Sequence, residues 1–150
     1  GSGGAVKCGT TFQWRVVLSK NANGTGSFNF LIFRGVNGTT ADTVDVTQLI
    51  GSAMTAAIDT LVLDVQVTVL TTGATGSYFW TITTVHSAAS TAGFGIGSPT
   101  GAPNITSGTV SSVAMDTASL VFGLGFVAGA GGTMPNVTAV SVQAQAFNID

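Results

Sequence analysis

Apolar residues recur at every second position along most of this chain, and that period of two limits the fold more than any other feature. In segment 61–72, for example, Leu61, Leu63 and Val65 share one face of an extended backbone, and segments 11–19 and 78–86 alternate in the same way. The composition agrees, because the 150 residues include 21 Gly and 23 Thr but no Glu. Thr, Val and Phe favour strands, and Gly favours turns. The chain is therefore predicted to be all-β.

The alternating segments give about eight strands separated by turn-rich joints. We expect an antiparallel β-sandwich of jelly-roll type, with a seven-stranded immunoglobulin-like sandwich as the closest competitor. Residues 4–150 are predicted to form one domain, and residues 1–3 are interpreted as a tag remnant or linker end. The passage 48–57 has some helical character but is too short and poorly capped for a helix. Residues 87–107 are predicted to form a long loop.

The phase of the alternation also predicts which side chains meet between the two sheets. They are mainly aromatic and branched aliphatic residues, as expected for a sandwich core. The predicted core consists of Phe12, Trp14, Phe30, Leu63, Val65, Val67, Trp80, Ile82, Leu120, Phe122 and Val142.

A second set of apolar residues points away from this core, which is unusual for a monomeric sandwich. These outward residues are Val17, Leu31, Phe33, Val62, Leu70, Phe79, Val85, Val121 and Val127. An interface between identical subunits would cover them, and Leu31, Phe33, Leu70 and Phe79 are its predicted members. The alternative is that the passage 48–57 and the long loops cover them within one chain.

Charge is scarce, and this argues against several classes of function. The chain has four Lys and Arg and six Asp, for a formal net charge of −2. Four scattered cations cannot form the basic stripe that binds nucleic acid. One His and one Cys make a metal site improbable, and no cofactor motif is found. No apolar run reaches the 18 residues of a membrane helix, so membrane insertion is not expected.

Four Asn-x-Thr sequences begin at Asn23, Asn37, Asn104 and Asn136. About two such matches are expected by chance in a chain this rich in Thr and Ser, so glycosylation is not the favoured interpretation. The two that contain Asn-Gly are explained as hairpin turns.

Candidate catalytic residues are few, and the chain is predicted not to be an enzyme. His86 has no nearby serine in a nucleophile-elbow setting, so it is interpreted as a structural or surface residue. Asp42 and Asp45 could be imagined as calcium ligands or as part of a glycosidase pair, but Asp is also a good turn former. Trp14, Tyr78 and Trp80 could stack on sugars, yet their phase assigns them first to the core.

The turn placement resembles that of a known group of proteins. The relevant segments are Gly9-Thr10-Thr11-Phe12, Gly24-Thr25-Gly26-Ser27-Phe28, Asp59-Thr60-Leu61, Met115-Asp116-Thr117 and the final strand from Val140 to Asn148. Their arrangement resembles β-sandwich structural domains of tailed bacteriophages, which form the tips of tail fibres, spikes or head fibres.

This resemblance implies a jelly-roll-like homotrimer on the virion surface that attaches to host glycans. It supplies no site residues, because such tips differ in their binding loops. The first hypothesis is therefore a non-enzymatic virion surface domain with itself and possibly a host-surface glycan as partners. The alternatives are a secreted carbohydrate-binding module, a capsid or decoration protein, and a glycosidase-like enzyme.

Overall fold

The computed structural model describes residues 6–21, 25–37, 39, 41–50, 54–88, 92–96, 101–116, 120–128 and 137–147. These residues form eight β-strands and no helix. The strands are β1 (Thr11–Lys20), β2 (Phe28–Gly35), β3 (Thr43–Ile50), β4 (Asp59–Thr71), β5 (Gly76–His86), β6 (Asn104–Val113), β7 (Val121–Ala128) and β8 (Val137–Phe147).

The strands form two antiparallel sheets of unequal width. The wider sheet has five strands in the order β6-β5-β4-β1-β8, and the narrower has three in the order β3-β2-β7. As in a jelly roll, the first strand pairs with the last and the second with the seventh. The prediction of an all-β antiparallel sandwich with about eight strands is confirmed.

The core lies between the inner faces of the two sheets. Aromatic contacts join the sheets near one end, where the ring of Phe122 in β7 lies 5.1 Å from that of Phe12 in β1 and 5.1 Å from that of Tyr78 in β5. Seven of the predicted core residues are buried. They are Phe30, Leu63, Val65, Val67, Trp80, Ile82 and Phe122.

The other predicted core residues lie nearer the margin. Phe12, Trp14 and Leu120 are partly buried and pack against the core. Val142 was wrongly assigned, because its side chain is 62% exposed. It lies on the inner face of the wide sheet, directly opposite the buried Val16 of β1. The narrow sheet does not cover β8. Val142 is therefore exposed, although the alternation assigned it to the correct face of the sheet.

Two predicted boundaries also differ from the structure. Strand β3 continues to Ile50 because residues 43–50 pair with β2. Residues 48–50, the start of the passage with helical character, are therefore part of a β-strand. The predicted loop 87–107 ends earlier, since β6 begins at Asn104. The first residues of β6 are mostly polar or small, and the pairing of their backbone with β5 replaces the missing hydrophobic pattern.

Two of the outward apolar residues are buried within the single chain. Leu31 and Phe33 are only 7% and 4% exposed, although they lie on the face of β2 away from the core. Phe33 lies across Gly123 of β7, where an added Cβ would collide with its ring. The reason for expecting a partner to cover Leu31 and Phe33 therefore disappears.

Replacing Trp80 tests the phase of β5. Trp80 is buried and packs over Gly108 of β6, so Trp80→Ala should lower the free energy of unfolding by about 3–5 kcal/mol. Phe79→Ala is the matched control, because Phe79 is the next residue and faces outward. Urea unfolding should detect a much smaller loss for Phe79→Ala, and equal losses would contradict the assignment of the two faces.

Candidate functional site

A buried carboxylate organises one end of the sandwich. Asp59 opens β4, and its two oxygens accept hydrogen bonds from the backbone amides of Phe94 (3.0 Å) and Ala88 (2.9 Å) and from the amide (3.0 Å) and hydroxyl (2.9 Å) of Ser87. His86 Nδ1 lies 3.1 Å from Asp59 Oδ2, and both side chains are fully buried. The carboxylate thus ties the start of β4 to the end of β5 and to the loop around Phe94.

The described residues around Asp59 are tightly packed. Gly93 has a φ of +61°, and an added Cβ there would collide with the Asp59 side chain. The Lys20 ammonium, also buried, donates to the carbonyl oxygens of Asn21 (3.0 Å) and Ala57 (3.3 Å) and to that of Thr55. Asp59, His86 and Lys20 therefore form a buried polar cluster.

The pKa values in this cluster follow from its geometry. Burial raises the pKa of Asp59, but the hydrogen bonds from Phe94, His86, Ser87 and Ala88 outweigh it and leave the pKa lowered. Burial lowers the pKa of Lys20, and the charge of Asp59 opposes this change. The Ser87 hydroxyl donates to Asp59 rather than to His86, so these residues do not have the geometry of a nucleophilic triad.

A buried ion pair lies near the opposite end of β5. Asp45 of β3 accepts hydrogen bonds from Arg34 Nε (2.9 Å) and from the hydroxyl of Tyr78 (3.0 Å). Arg34 also donates to the carbonyl of Ala114 (3.1 Å). Burial, followed by the charge of Asp45, raises the pKa of Tyr78. Because Tyr78 belongs to the wide sheet and Asp45 to the narrow one, this contact joins the two sheets.

The outer face of the wide sheet carries the accessible polar chemistry. Strand register aligns its side chains in two adjacent rows across four strands. The rows are Gln145-Gln13-Gln66-Thr81 and Gln143-Arg15-Asp64-Thr83, and we call these eight residues the polar face.

The polar face lines a shallow depression of about 440 Å³. Gln13 Nε2 donates to Gln66 Oε1 across the first row (3.4 Å). In the second row, Arg15 lies 3.7 Å from Asp64, and both side chains are about half exposed. The depression therefore contains amide groups and one balanced pair of charges, all accessible to solvent.

Two exposed aromatic rings belong to the next row on the same face. Phe147 of β8 lies opposite Thr11, which is opposite Thr68, which in turn is opposite Phe79 of β5. Phe79 and Phe147 are 39% and 48% exposed. The outer face thus combines planar hydrogen-bonding groups with apolar rings, the usual means of recognising a polar molecule with nonpolar faces.

The sequence-predicted candidates are distributed differently. Tyr78 and Trp80 are buried and Trp14 is partly buried, so none of the three offers an exposed ring. Leu70 and Phe79 are exposed on the wide sheet, whereas Leu31 and Phe33 lie buried on the narrow one. The four predicted interface residues therefore do not form one exposed patch, and their role between subunits stays a prediction.

The remaining candidates give no further site. Asn37 and Asn104 are exposed, while residues 1–3, Asn23 and Asn136 lie outside the described residues. Asp42 accepts hydrogen bonds from the Asn37 backbone and side chain, as expected of a turn residue. Among the described residues, no three His, Cys, Asp or Glu side chains are grouped as metal ligands.

Comparison with known proteins adds no assignment. No protein-family model, no curated protein and no solved structure matches this chain. The resemblance to phage structural domains therefore stays a prediction. In the part of the chain that the structure describes, no helix is long and apolar enough to cross a membrane.

Asp59→Asn tests the structural role of the buried cluster. The substitution removes the negative charge to which the surrounding amide and hydroxyl groups donate hydrogen bonds. The free energy of unfolding at pH 7 should therefore fall by about 3–5 kcal/mol. Asp64→Asn is the control, because Asp64 is half exposed, and it should change stability by less than about 0.5 kcal/mol. Comparable losses in urea unfolding would contradict the buried role of Asp59.

The same variant should alter the response to acid. Because the pKa of Asp59 is lowered on folding, its stabilisation is complete above the unfolded-state pKa of about 3.9 and is lost as the pH falls through the folded-state value. Between pH 5 and 2, the difference in stability between wild type and Asp59→Asn should shrink. A constant difference would mean that Asp59 does not titrate with unfolding.

Proposed function

We propose that this protein is a non-enzymatic attachment domain that binds neutral glycans through the polar face, displayed on the surface of a virion. The observation that carries the proposal is the alignment of eight polar side chains in two rows over a solvent-accessible depression. Glutamine, arginine and aspartate offer planar pairs of hydrogen-bonding atoms, which suit the adjacent hydroxyl groups of a sugar.

The charges of the polar face favour a neutral ligand. Arg15 and Asp64 are its two charged members, and they lie opposite one another in register. Their fields largely cancel, so neither an anionic nor a cationic ligand gains from steering. Phe79 and Phe147 in the adjacent row supply rings on which the apolar face of a hexose can stack.

Accessible groups for acid–base catalysis are few, which supports a binding role. The one histidine of the chain is fully buried against Asp59. Asp64 is accessible, but it lies 3.7 Å from Arg15 in a balanced pair of charges. A glycosidase needs a second carboxyl group close to the first, and among the described residues no Asp other than Asp64 lines the depression.

The virion setting rests on the phage resemblance and on the low surface charge. Four of the ten charged residues, Lys20, Arg34, Asp45 and Asp59, have their charged groups largely inside the sandwich. A surface with so few charges suits a subunit held in an assembly more than a freely dispersed protein. A secreted carbohydrate-binding module would share the polar face but would be monomeric, and solution mass separates the two.

Glycan binding can be tested with an array that carries neutral, sialylated and sulfated oligosaccharides. We expect neutral hexose-containing glycans to be retained in preference to charged ones. For the best of them, Gln66→Ala and Arg15→Ala should each weaken binding at least tenfold by calorimetry, because both side chains line the depression.

Thr138→Ala is the matched control, since Thr138 is exposed on the same outer face but lies outside the depression. It should bind as tightly as the wild type. Failure of every glycan to bind, or equal losses in Gln66→Ala and Thr138→Ala, would refute the assignment of the polar face.

A further inference from the structure

Strand β8 lies at one edge of the wide sheet and is exposed on nearly all sides. Every residue from Thr138 to Phe147 is exposed, although β1 beside it contributes Val16 and Leu18 to the core. Val16 is 3% exposed, and its partner Val142 on the same face is 62% exposed. Burial is therefore lost across a single strand spacing, about 4.8 Å.

The inner face of β8 is apolar even though nothing in the described chain covers it. Val142, Ala144 and Ala146 lie opposite Val16, Trp14 and Phe12, and so continue the core pattern. On the narrow sheet, the edge strand β7 has Phe126 in register with the buried Phe30, yet Phe126 is 42% exposed. Both sheets thus present inner-face apolar residues at their β7 and β8 edges, and we call Phe126, Val142, Ala144 and Ala146 the open side.

The backbone of β8 is also open. No described strand pairs with its outer edge, and the 11 residues contain no charged side chain and no proline. Natural sheets usually protect such an edge with lysine, proline or a bulge, because an unprotected edge adds strands from other molecules. The only register shift in β8 lies near Val140, which leaves 141–147 regular.

The opposite edge of the same sheet, strand β6, has a similar regularity. Strand β6 pairs regularly with β5 from Asn104 to Ser111, and its one register shift lies at Ser112, which has a φ of +60°. Its one large exposed apolar side chain, Ile105, lies on the outer face, opposite Thr83. The two edges are alike in regularity and both are uncharged, but the inner face of β6 packs against the core through Val110 and Val113, whereas that of β8 is exposed.

We infer that β8 is the contact between two copies of this chain, which pair edge to edge in antiparallel orientation about a two-fold axis near Ala144. This arrangement pairs the open backbone edge of β8 and covers the open side at the same time. The β8 edges supply each other's missing hydrogen bonds, and the wide sheets become one sheet of ten strands. Because the axis is perpendicular to that sheet, the two open sides face one another and cover Phe126 and Val142.

The side chains of β8 are compatible with its own copy. An axis at Ala144 places Gln143 of one copy opposite Gln145 of the other, and the amides can pair as those of Gln13 and Gln66 do in the same face. No charges repel, since β8 has none, and the small Ala144 allows close approach on the inner side. This inference does not depend on glycan binding.

The solution mass of the full chain between 5 and 200 µM is the first test. Sedimentation equilibrium should give twice the chain mass of 14.9 kDa. Val142→Lys should weaken dimerisation at least tenfold, because it places two cations in the seam. Ile105→Lys is the matched control, with a side chain 63% exposed at the other edge of the sheet, and it should dimerise as the wild type does.

Cross-linking tests the orientation. In a Cys8→Ser background, Ala144→Cys should form covalent dimers under mild oxidation, whereas Ile105→Cys should not. A wild type that stays monomeric at 200 µM, a trimer, a dimer that Val142→Lys leaves intact, or a dimer that Ala144→Cys does not cross-link would overturn the proposal. Circular dichroism completes the test: if Val142→Lys unfolds the protein, the chain itself covers β8, and the proposal also fails.

Discussion

The unequal width of the two sheets determines what this protein exposes. A sheet of three strands cannot cover the whole inner face of a sheet of five, and the strand left without described residues to pack against is β8. Apolar burial contributes about 25 cal/mol per Å², and this contribution is full at Val16 but largely missing at Val142, one strand away. The sequence of β8 nevertheless continues the inner pattern of β1. No described residue covers this apolar pattern, which is unusual in a monomer, and this mismatch is the reason for inferring a second copy.

Two buried charge clusters hold the narrow sheet and the loops in position on the wide one. They lie near opposite ends of β5, where Tyr78 contacts Asp45 and His86 contacts Asp59. Burying a charge costs several kcal/mol unless it is paired and hydrogen-bonded, so each cluster is stable in one arrangement of its partners. This explains the use of scarce charges in the interior of a chain that has only ten. It also leaves the surface nearly neutral, which favours contacts through amides, hydroxyls and apolar groups.

The period of two was enough to predict the fold class, the number of strands and most of the core. It could not predict that Val142 is exposed, because periodicity assigns a face and says nothing of which strands lie opposite it. Leu31 and Phe33 show the converse limit, since both are buried on a face expected to need a partner, and Gly123 of β7 leaves room for the Phe33 ring. Lys20 and His86 are 66 residues apart in the chain, and Asp59 lies between them. Only the pairing of β1, β4 and β5 brings the three together. The polar face is missing from the sequence interpretation for the same reason: alternate polar residues mark an outer face, but register aligns them.

The polar face and the β8 edge meet at Gln143 and Gln145, which belong to both. If two copies pair through β8, the rows of each copy continue into the other, and the polar face extends from four strands to eight. A ligand longer than one copy could then contact both depressions, and the second contact would form at a high effective concentration without any new type of interaction. Self-association and glycan binding thus rest on separate observations, the open edge and the aligned polar rows. Because the polar face continues across paired β8 strands, self-association would nevertheless strengthen glycan binding.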